Sequence, residues 1–178
     1  FLAWFEFRRG KSKKLDVQKF EFDLENNLFK LEEELKEKTY QHSSYQDFYV
    51  RDPKLRHIHK ASVRDRVLHQ AVFRILYQIF DKSFIFDSYS CRFDKGTHRA
   101  VSRLEIFAKK LSDNYKRPIF ALKCDIYRFF DSVDQEILLK LIKKRIQDAD
   151  TLWLIENIID SFKTQESNGL PLGNVTSQ

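Results

Sequence analysis

Residues 119–132 read Ile119-Phe120-Ala121-Leu122-Lys123-Cys124-Asp125-Ile126-Tyr127-Arg128-Phe129-Phe130-Asp131-Ser132, and the fold turns on this stretch. Pro118 precedes it, and the apolar run from Ile119 to Cys124 has the length and composition of a buried strand ending in a carboxylate. A carboxylate in that place costs free energy unless it is paired or binds a cation. Mg2+ takes one or two carboxylates together with waters and substrate phosphates. Asp125 therefore suits metal-assisted phosphoryl transfer. An Asp that only accepts backbone N–H bonds or pairs with an Arg would occupy the same position, and from spacing alone that plainer reading is the commoner one. Phe129-Phe130 follows, and core packing accounts for at least one of the two rings.

Downstream, Ser132 and Gln135 form a capping-box pattern ahead of a helix marked by Ile137, Leu138, Leu141, Ile142 and Ile146. A second helix is expected over Thr151 to Phe162. The segment Gly169 to Gln178 reads as a turn that should feed a further element. Upstream, Thr97 is placed to cap a helix running to about Tyr115, and residues 84–96 are aromatic, without clear period, and end in Lys95-Gly96. A helix is expected over Ser62–Phe80, with Val63, Val67, Ala71, Val72, Ile75, Leu76 and Ile79 as its apolar stripe. Before it, Tyr45–Val50 and Leu55–Lys60 flank Arg51-Asp52-Pro53-Lys54, a turn in which Pro presets φ. Alternation puts Leu55, His57 and His59 on one face of the return strand, and Arg56, Ile58 and Lys60 on the other. Residues 22–38 read as an amphipathic helix through Leu24, Leu28, Leu31 and Leu35. Residues 6–19 are basic, with Arg8, Arg9, Lys11, Lys13, Lys14 and Lys19, and form either a phosphate-binding arm or a solvated entry segment.

The chain has 178 residues, 42% of them hydrophobic and 33% charged, enough for a real core and too charged for a membrane protein. A formal net charge of +6 favours a polyanionic partner, nucleic acid first, although a merely basic domain has the same charge. Cys91 and Cys124 give neither a disulfide framework nor a zinc site. Both are expected to be reduced, in apolar surroundings, in a cytoplasmic protein. His57 and His59 without a further converging ligand do not make a metal site, so packing or polar-face roles are expected. Phe1 to Phe5 is too short for a signal peptide, and the missing initiator Met suggests residues upstream.

Four segments together resemble the reverse transcriptases of bacterial retroelements. Arg51-Asp52-Pro53-Lys54-Leu55-Arg56-His57-Ile58 looks like the fingers hairpin that contacts the incoming nucleotide. Arg64-Asp65-Arg66-Val67-Leu68-His69-Gln70-Ala71-Val72 looks like the adjoining fingers helix. Lys123 to Ser132 looks like the first metal-binding motif of the palm. Gly169-Leu170-Pro171-Leu172-Gly173-Asn174-Val175-Thr176-Ser177-Gln178 looks like the next palm motif. Group II intron and retron enzymes usually have Pro-Gln-Gly and end in Ser-Pro. The Pro171-Leu172-Gly173 and Thr176-Ser177-Gln178 of this chain are more similar to the enzymes of diversity-generating retroelements, which copy a template RNA into error-prone cDNA. Leu172 removes a polar side chain from the nucleotide pocket, and apolar contact discriminates weakly between substrates.

The resemblance implies an α+β fold: a fingers subdomain and the first part of a palm, a truncated right-hand polymerase. It divides the chain into an N-terminal basic segment and helix (1–40), fingers (41–117) and partial palm (118–178). It makes Asp125 the catalytic ligand of two Mg2+ ions, with the carbonyl of Ile126 helping to hold one. Arg56, with Lys54 or Arg51, would grip the triphosphate of a dNTP. The backbone at Arg128 and Phe129 would approach the phosphates, and Phe130 would stack under the sugar and reject a 2′-hydroxyl. Leu172 and Gly173 would border the nucleotide and template base. Arg8, Arg9, Lys60 and Arg64 would hold template RNA and the RNA–DNA duplex, with an accessory protein as a further partner and no membrane. The family's paired-Asp segment does not occur, so this stretch by itself is expected to be inactive. A group II intron or retron enzyme, and a truncated RNA-binding module without catalysis, are the competing expectations.

Overall fold

A computed structural model of the chain describes residues 1–162 and 168–175. The fold is α+β, with helices and one two-stranded antiparallel sheet among the described residues. The chain packs as two units, one of Phe1–Leu76 with Arg128–Gln178, the other of Tyr77–Tyr127.

In the first unit, the stretch expected as a basic arm is helical at both ends. Helix α1 covers Leu2–Arg8 and α2 covers Leu15–Phe22. The reason is apolar: Trp4 and Phe7 turn inward against Val17, Val63 and Val67, with Phe20, Leu24 and Leu28 packed around them. Fully burying one such side chain is worth roughly 1.5–3 kcal/mol. Helix α3, Leu24–Lys36, carries the expected leucine stripe. Its first turns meet that cluster, and Leu31 joins Tyr40 and Leu68 in a second one, flanked by Leu35, Trp153 and Leu154.

Helix α4, Val63–Phe80, starts as expected and buries the first half of the expected stripe but not its end. Val63, Val67, Leu68 and Val72 are inside, while Ile75 and Ile79 are exposed. Two polar residues share the buried face. Asp65 is fully buried and accepts hydrogen bonds from Ser62 Oγ (2.7 Å), Tyr40 Oη (2.9 Å) and Ser43 N (3.2 Å). Burial pushes its carboxyl up, but the Ser62 bond, the neighbouring His42 and the bonds from Tyr40 and Ser43 outweigh it and hold it below the usual range. His69 is also fully buried, with its ring stacked on His42 at 5.1 Å. Burial first, and His42 second, push its imidazole down to about 4.

Strands β1 (Gln46–Arg51) and β2 (Leu55–Lys60) pair in a register running from Gln46 opposite Lys60 to Arg51 opposite Leu55. Helix α6 covers Gln135–Lys143. The expected Ser132–Gln135 capping box does not form. Asp134 caps the helix instead, its Oδ1 accepting from Ile137 N at 2.9 Å. Gln135 is buried, and its amide donates to the carbonyls of Ile159, Phe162 and Gly169. Three carbonyl acceptors in the interior are a better use of that amide than one exposed helix start. Helix α7 (Ala149–Asp160) follows, capped by Asp148 through Thr151 N.

The second unit is built differently. After α4 and a 3-10 turn at Asp81–Ser83, the aromatic segment is laced by Arg92. Its guanidinium donates to Asp81 Oδ1 (2.7 Å) and to the carbonyls of Ile85, Ser88 and Asp81. Lys95 donates to Phe86 O and lies over the Phe86 ring at 3.8 Å. Gly96, at φ 97°, takes the cap position of helix α5 (Thr97–Leu111), a backbone conformation L side chains rarely adopt, so Thr97 is the first helical residue and not the cap.

The run Ile119–Asp125 is not a buried strand. It pairs with no described segment, and Phe120 and Leu122 are 98% and 90% exposed. Strand formation requires a neighbour that takes up the N–H and C=O groups, and apolar composition alone cannot provide one. Cys91 and Cys124 are both exposed, not set in apolar surroundings. No described helix is long and apolar enough to cross a membrane.

Candidate nucleic-acid interface

The hairpin is the scaffold of a basic cleft in the first unit. Its β2 face presents Ile58 and Lys60, and Phe48 joins them from β1. The 169–175 turn closes against it from more than a hundred residues away. Its foot is fixed where Gly169 N donates to Val133 O (2.8 Å) and Leu170 N to Phe130 O (2.7 Å). Its tip meets β2, where His59 N donates to Leu172 O (3.3 Å) and Asn174 Nδ2 donates to His59 O (2.9 Å). Gly173 is required there twice over: φ is 105°, and a Cβ would stand 3.2 Å from Ile58 Cγ2.

Helix α1 through Phe7, the segment between α1 and α2 through Lys11 and Lys14, and α4 through Arg66 and Gln70 supply the opposite wall. Four cations thus line one cleft. One carboxylate lies against them. Asp16 Oδ2 is 2.6 Å from Lys60 Nζ and 2.7 Å from Arg66 Nη2. Burial raises the Asp16 carboxyl, but hydrogen bonds from Lys60 and Arg66 and their charges bring it down to about 2. Lys11 donates to Phe7 O, and its pKa is lowered by burial and by the charges of Arg66 and Lys14. Four cations against one carboxylate favour a polyanion entering the cleft. Asn174 is buried, and its Oδ1 has no hydrogen-bond partner among the described residues.

The residues singled out in the sequence are distributed unevenly. Lys60, Leu172 and Gly173 come together at the cleft and its rim. Arg51, Lys54 and Arg56 are exposed on the hairpin. Arg8 pairs with Glu21 at 2.6 Å, and Arg64 pairs with Glu34 and lies over the Tyr40 ring at 4.9 Å. Arg9 is exposed at the end of α1. Arg128 opens its segment at φ 49°, followed by Phe129 and Phe130 with ring centroids 5.4 Å apart. Asp125 and Ile126 lie exposed in the second unit, in the run that was expected to be a strand. Thr176, Ser177 and Gln178 fall outside the described residues. Arg66, Gln70 and Asn174 were not singled out. Arg66 and Gln70 stand four apart on α4, a polar spacing visible in sequence, but only the docking of α1 and the turn makes it a wall.

No known protein family matches the chain. It is 26% identical over 131 residues to Protein YkfC of Escherichia coli (strain K12), covering 70% of this chain and 34% of that protein. It is 24% identical over 94 residues to Nuclear intron maturase 1, mitochondrial, of Arabidopsis thaliana, covering 53% of this chain and 12% of that protein. The chain thus spans about a third or less of the relatives it matches, and it bears a distant similarity to an intron maturase.

Proposed function

We propose that this chain is the fingers and the beginning of the palm of an RNA-directed DNA polymerase. Within that class it is the kind that diversity-generating retroelements use to make error-prone cDNA from a template RNA. The observation that carries the reading is the seating of the Gly169–Val175 turn on β2. Asn174, in a segment that resembles a palm motif, donates to the carbonyl of His59, the residue that directly follows the segment resembling the fingers hairpin and lies 115 residues away. The two segments border a cleft with cations in excess, which suits RNA phosphates. The similarity to an intron maturase supports an RNA-handling role.

In this reading Arg51, Lys54 and Arg56 grip the triphosphate of the incoming dNTP, Arg through two N–H bonds and Lys as a point charge. The left-handed turn at Arg128 brings the backbone of Arg128 and Phe129 toward the phosphates. Phe130, half-buried and edge-on to Phe129, excludes a 2′-hydroxyl by bulk. Leu172 and Gly173 border the nucleotide and the template base. The Asp125 carboxylate and the Ile126 carbonyl are oxygen donors of the kind Mg2+ takes, with the remaining positions left to waters and substrate phosphates. No group of three metal-ligating side chains among the described residues includes Asp125, so it provides only part of a shell. Bound there, Mg2+ would supply Lewis-acid stabilisation of the primer 3′-oxygen and of the pyrophosphate.

Primer extension on an RNA template tests the reading, using the whole protein that carries this sequence. Mg2+-dependent cDNA synthesis is expected, abolished by Asp125→Ala with RNA affinity unchanged. Synthesis that survives Asp125→Ala sinks the polymerase role, and RNA binding without synthesis leaves a binding module. The similarity to a maturase favours an intron-type enzyme as the second reading. Sequencing cDNA from Leu172→Gln separates the two: fewer errors opposite adenine support the diversity-generating branch, and unchanged errors support the intron branch.

A further inference from the structure

The hairpin face opposite Ile58 and Lys60 carries a second set of groups. Asp47, His57 and His59 each present one ligand atom there, and the three atoms lie within 4.8 Å of one another. The register explains the convergence. Asp47 stands directly opposite His59, and Tyr49 directly opposite His57. Alternation then puts all four side chains on one face of the sheet. Residues two apart on a strand are separated by roughly 6.6 Å. The ring centroids of His57 and His59 are nevertheless 4.2 Å apart, so the two imidazoles lean together. His59 Nδ1 is 2.7 Å from Asp47 Oδ1.

The two rings are held in that arrangement. Tyr49 stacks on His57 at 4.5 Å with an interplanar angle of 9°. Phe162 packs edgewise on His59 at 4.7 Å, and Tyr45 does so at 6.5 Å. Ligands fixed by packing lose little further freedom when an ion arrives.

We propose that Asp47, His57 and His59 bind one divalent first-row transition ion, with Zn2+ as the fitting member. Two imidazole nitrogens and one carboxylate oxygen form a zinc donor set whose fourth position stays open to water. Imidazole suits zinc and its neighbours in the first row, while Mg2+ and Ca2+ prefer all-oxygen sites. Ligand atoms around one tetrahedral zinc are roughly 3.4 Å apart, given bonds of about 2.0–2.1 Å. The three ligand atoms now lie within 4.8 Å of one another, so binding requires a further adjustment of the side chains. The ion replaces the proton now shared by His59 Nδ1 and Asp47 Oδ1. Because its ligands come from both strands, it ties β1 to β2. Its three side chains are not among those lining the basic cleft, although the His59 backbone also holds the turn, and no ligand is shared with Asp125, so the site does not depend on the polymerase reading.

The rival account is a plain hydrogen bond between His59 and Asp47, and Asp47→Asn separates the two. Asparagine keeps the shape and the acceptor oxygen but is a poor zinc ligand. The test is Zn2+ titration by calorimetry on the untagged 178-residue chain, with Co2+ absorption as a second readout of coordination. One ion per chain is expected, with affinity weakened at least about tenfold by Asp47→Asn and by His57→Gln. His98→Gln, in the second unit, should leave affinity unchanged. His57 is exposed, so its replacement spares the core, and far-UV circular dichroism checks each variant. Zn2+ should also raise the urea midpoint of the parent chain and not of these two variants. No saturable Zn2+ binding to the folded chain, or binding undiminished by both Asp47→Asn and His57→Gln, overturns the proposal.

Discussion

The two units of this chain are held together by different physics. The first buries Trp4, Phe7 and Val17 almost completely and adds a buried polar network around Asp65 and His69. The second, every residue of which is described, buries only Ser112. Its order comes from Arg92 and Lys95, which reach back to carbonyls, to Asp81 and to aromatic faces. Apolar burial is non-directional and insensitive to salt, whereas exposed ion pairs are weak singly and screened. The contrast teaches where rigidity lies. The basic cleft is mounted on the packed unit, while Asp125 sits in the unit held by surface contacts.

The sharpest way to break the contrast is Trp4→Ala. It removes the largest side chain of the first cluster and should cost about 3–5 kcal/mol, read as a lower urea midpoint. A loss near zero would mean that the first unit does not depend on this core.

Acid should come next. The His69 imidazole is lowered to about 4 in the folded chain, against an ordinary 6.5. The unfolded chain therefore binds more protons between those values, and stability falls as pH drops from about 6.5 to about 4. The loss should be on the order of 3 kcal/mol. Asp65, held below its ordinary value, adds a further loss at still lower pH. His69→Gln should flatten the curve between pH 4 and 6.5, measured as urea midpoint against pH.

Gly173→Ala sharpens the link between cleft and core. The left-handed backbone and the nearby Ile58 methyl should together cost about 1–2 kcal/mol. Hydrogen exchange should report the same change as loss of protection at His59 N, which donates to Leu172 O. The smallest global effect is expected from Arg92→Gln. Proteolysis within residues 81–96 should accelerate, and the urea midpoint of the first unit should stay in place.

Much of the architecture was legible because it is local. The leucine spacing of α3, the start of α4, and the Asp52-Pro53 turn with its flanking alternation all formed as expected, since helix period and turn chemistry depend on near neighbours. Helices α1 and α2 escaped notice because each is short and takes its stability from Val63 and Val67 far along the chain. The run at Ile119 misled for the converse reason: its composition suits a strand, but pairing is a property of two segments. Gln135 looked like a capping partner and became a buried tie to three carbonyls.

The candidate site divides in the same way. Residue types and order alone established a basic chain, an amphipathic helical framework, a cationic hairpin and a turn rich in glycine. Tertiary structure alone decided that the turn hydrogen-bonds to the hairpin, that Asp16 draws Lys60 and Arg66 together, and that Asp47 meets the two histidines. Periodicity is set by residues within a few positions of one another and is carried by the sequence itself. Convergence of groups 10, 50 or 115 residues apart depends on register and packing, which appear only when the whole chain has closed on its core.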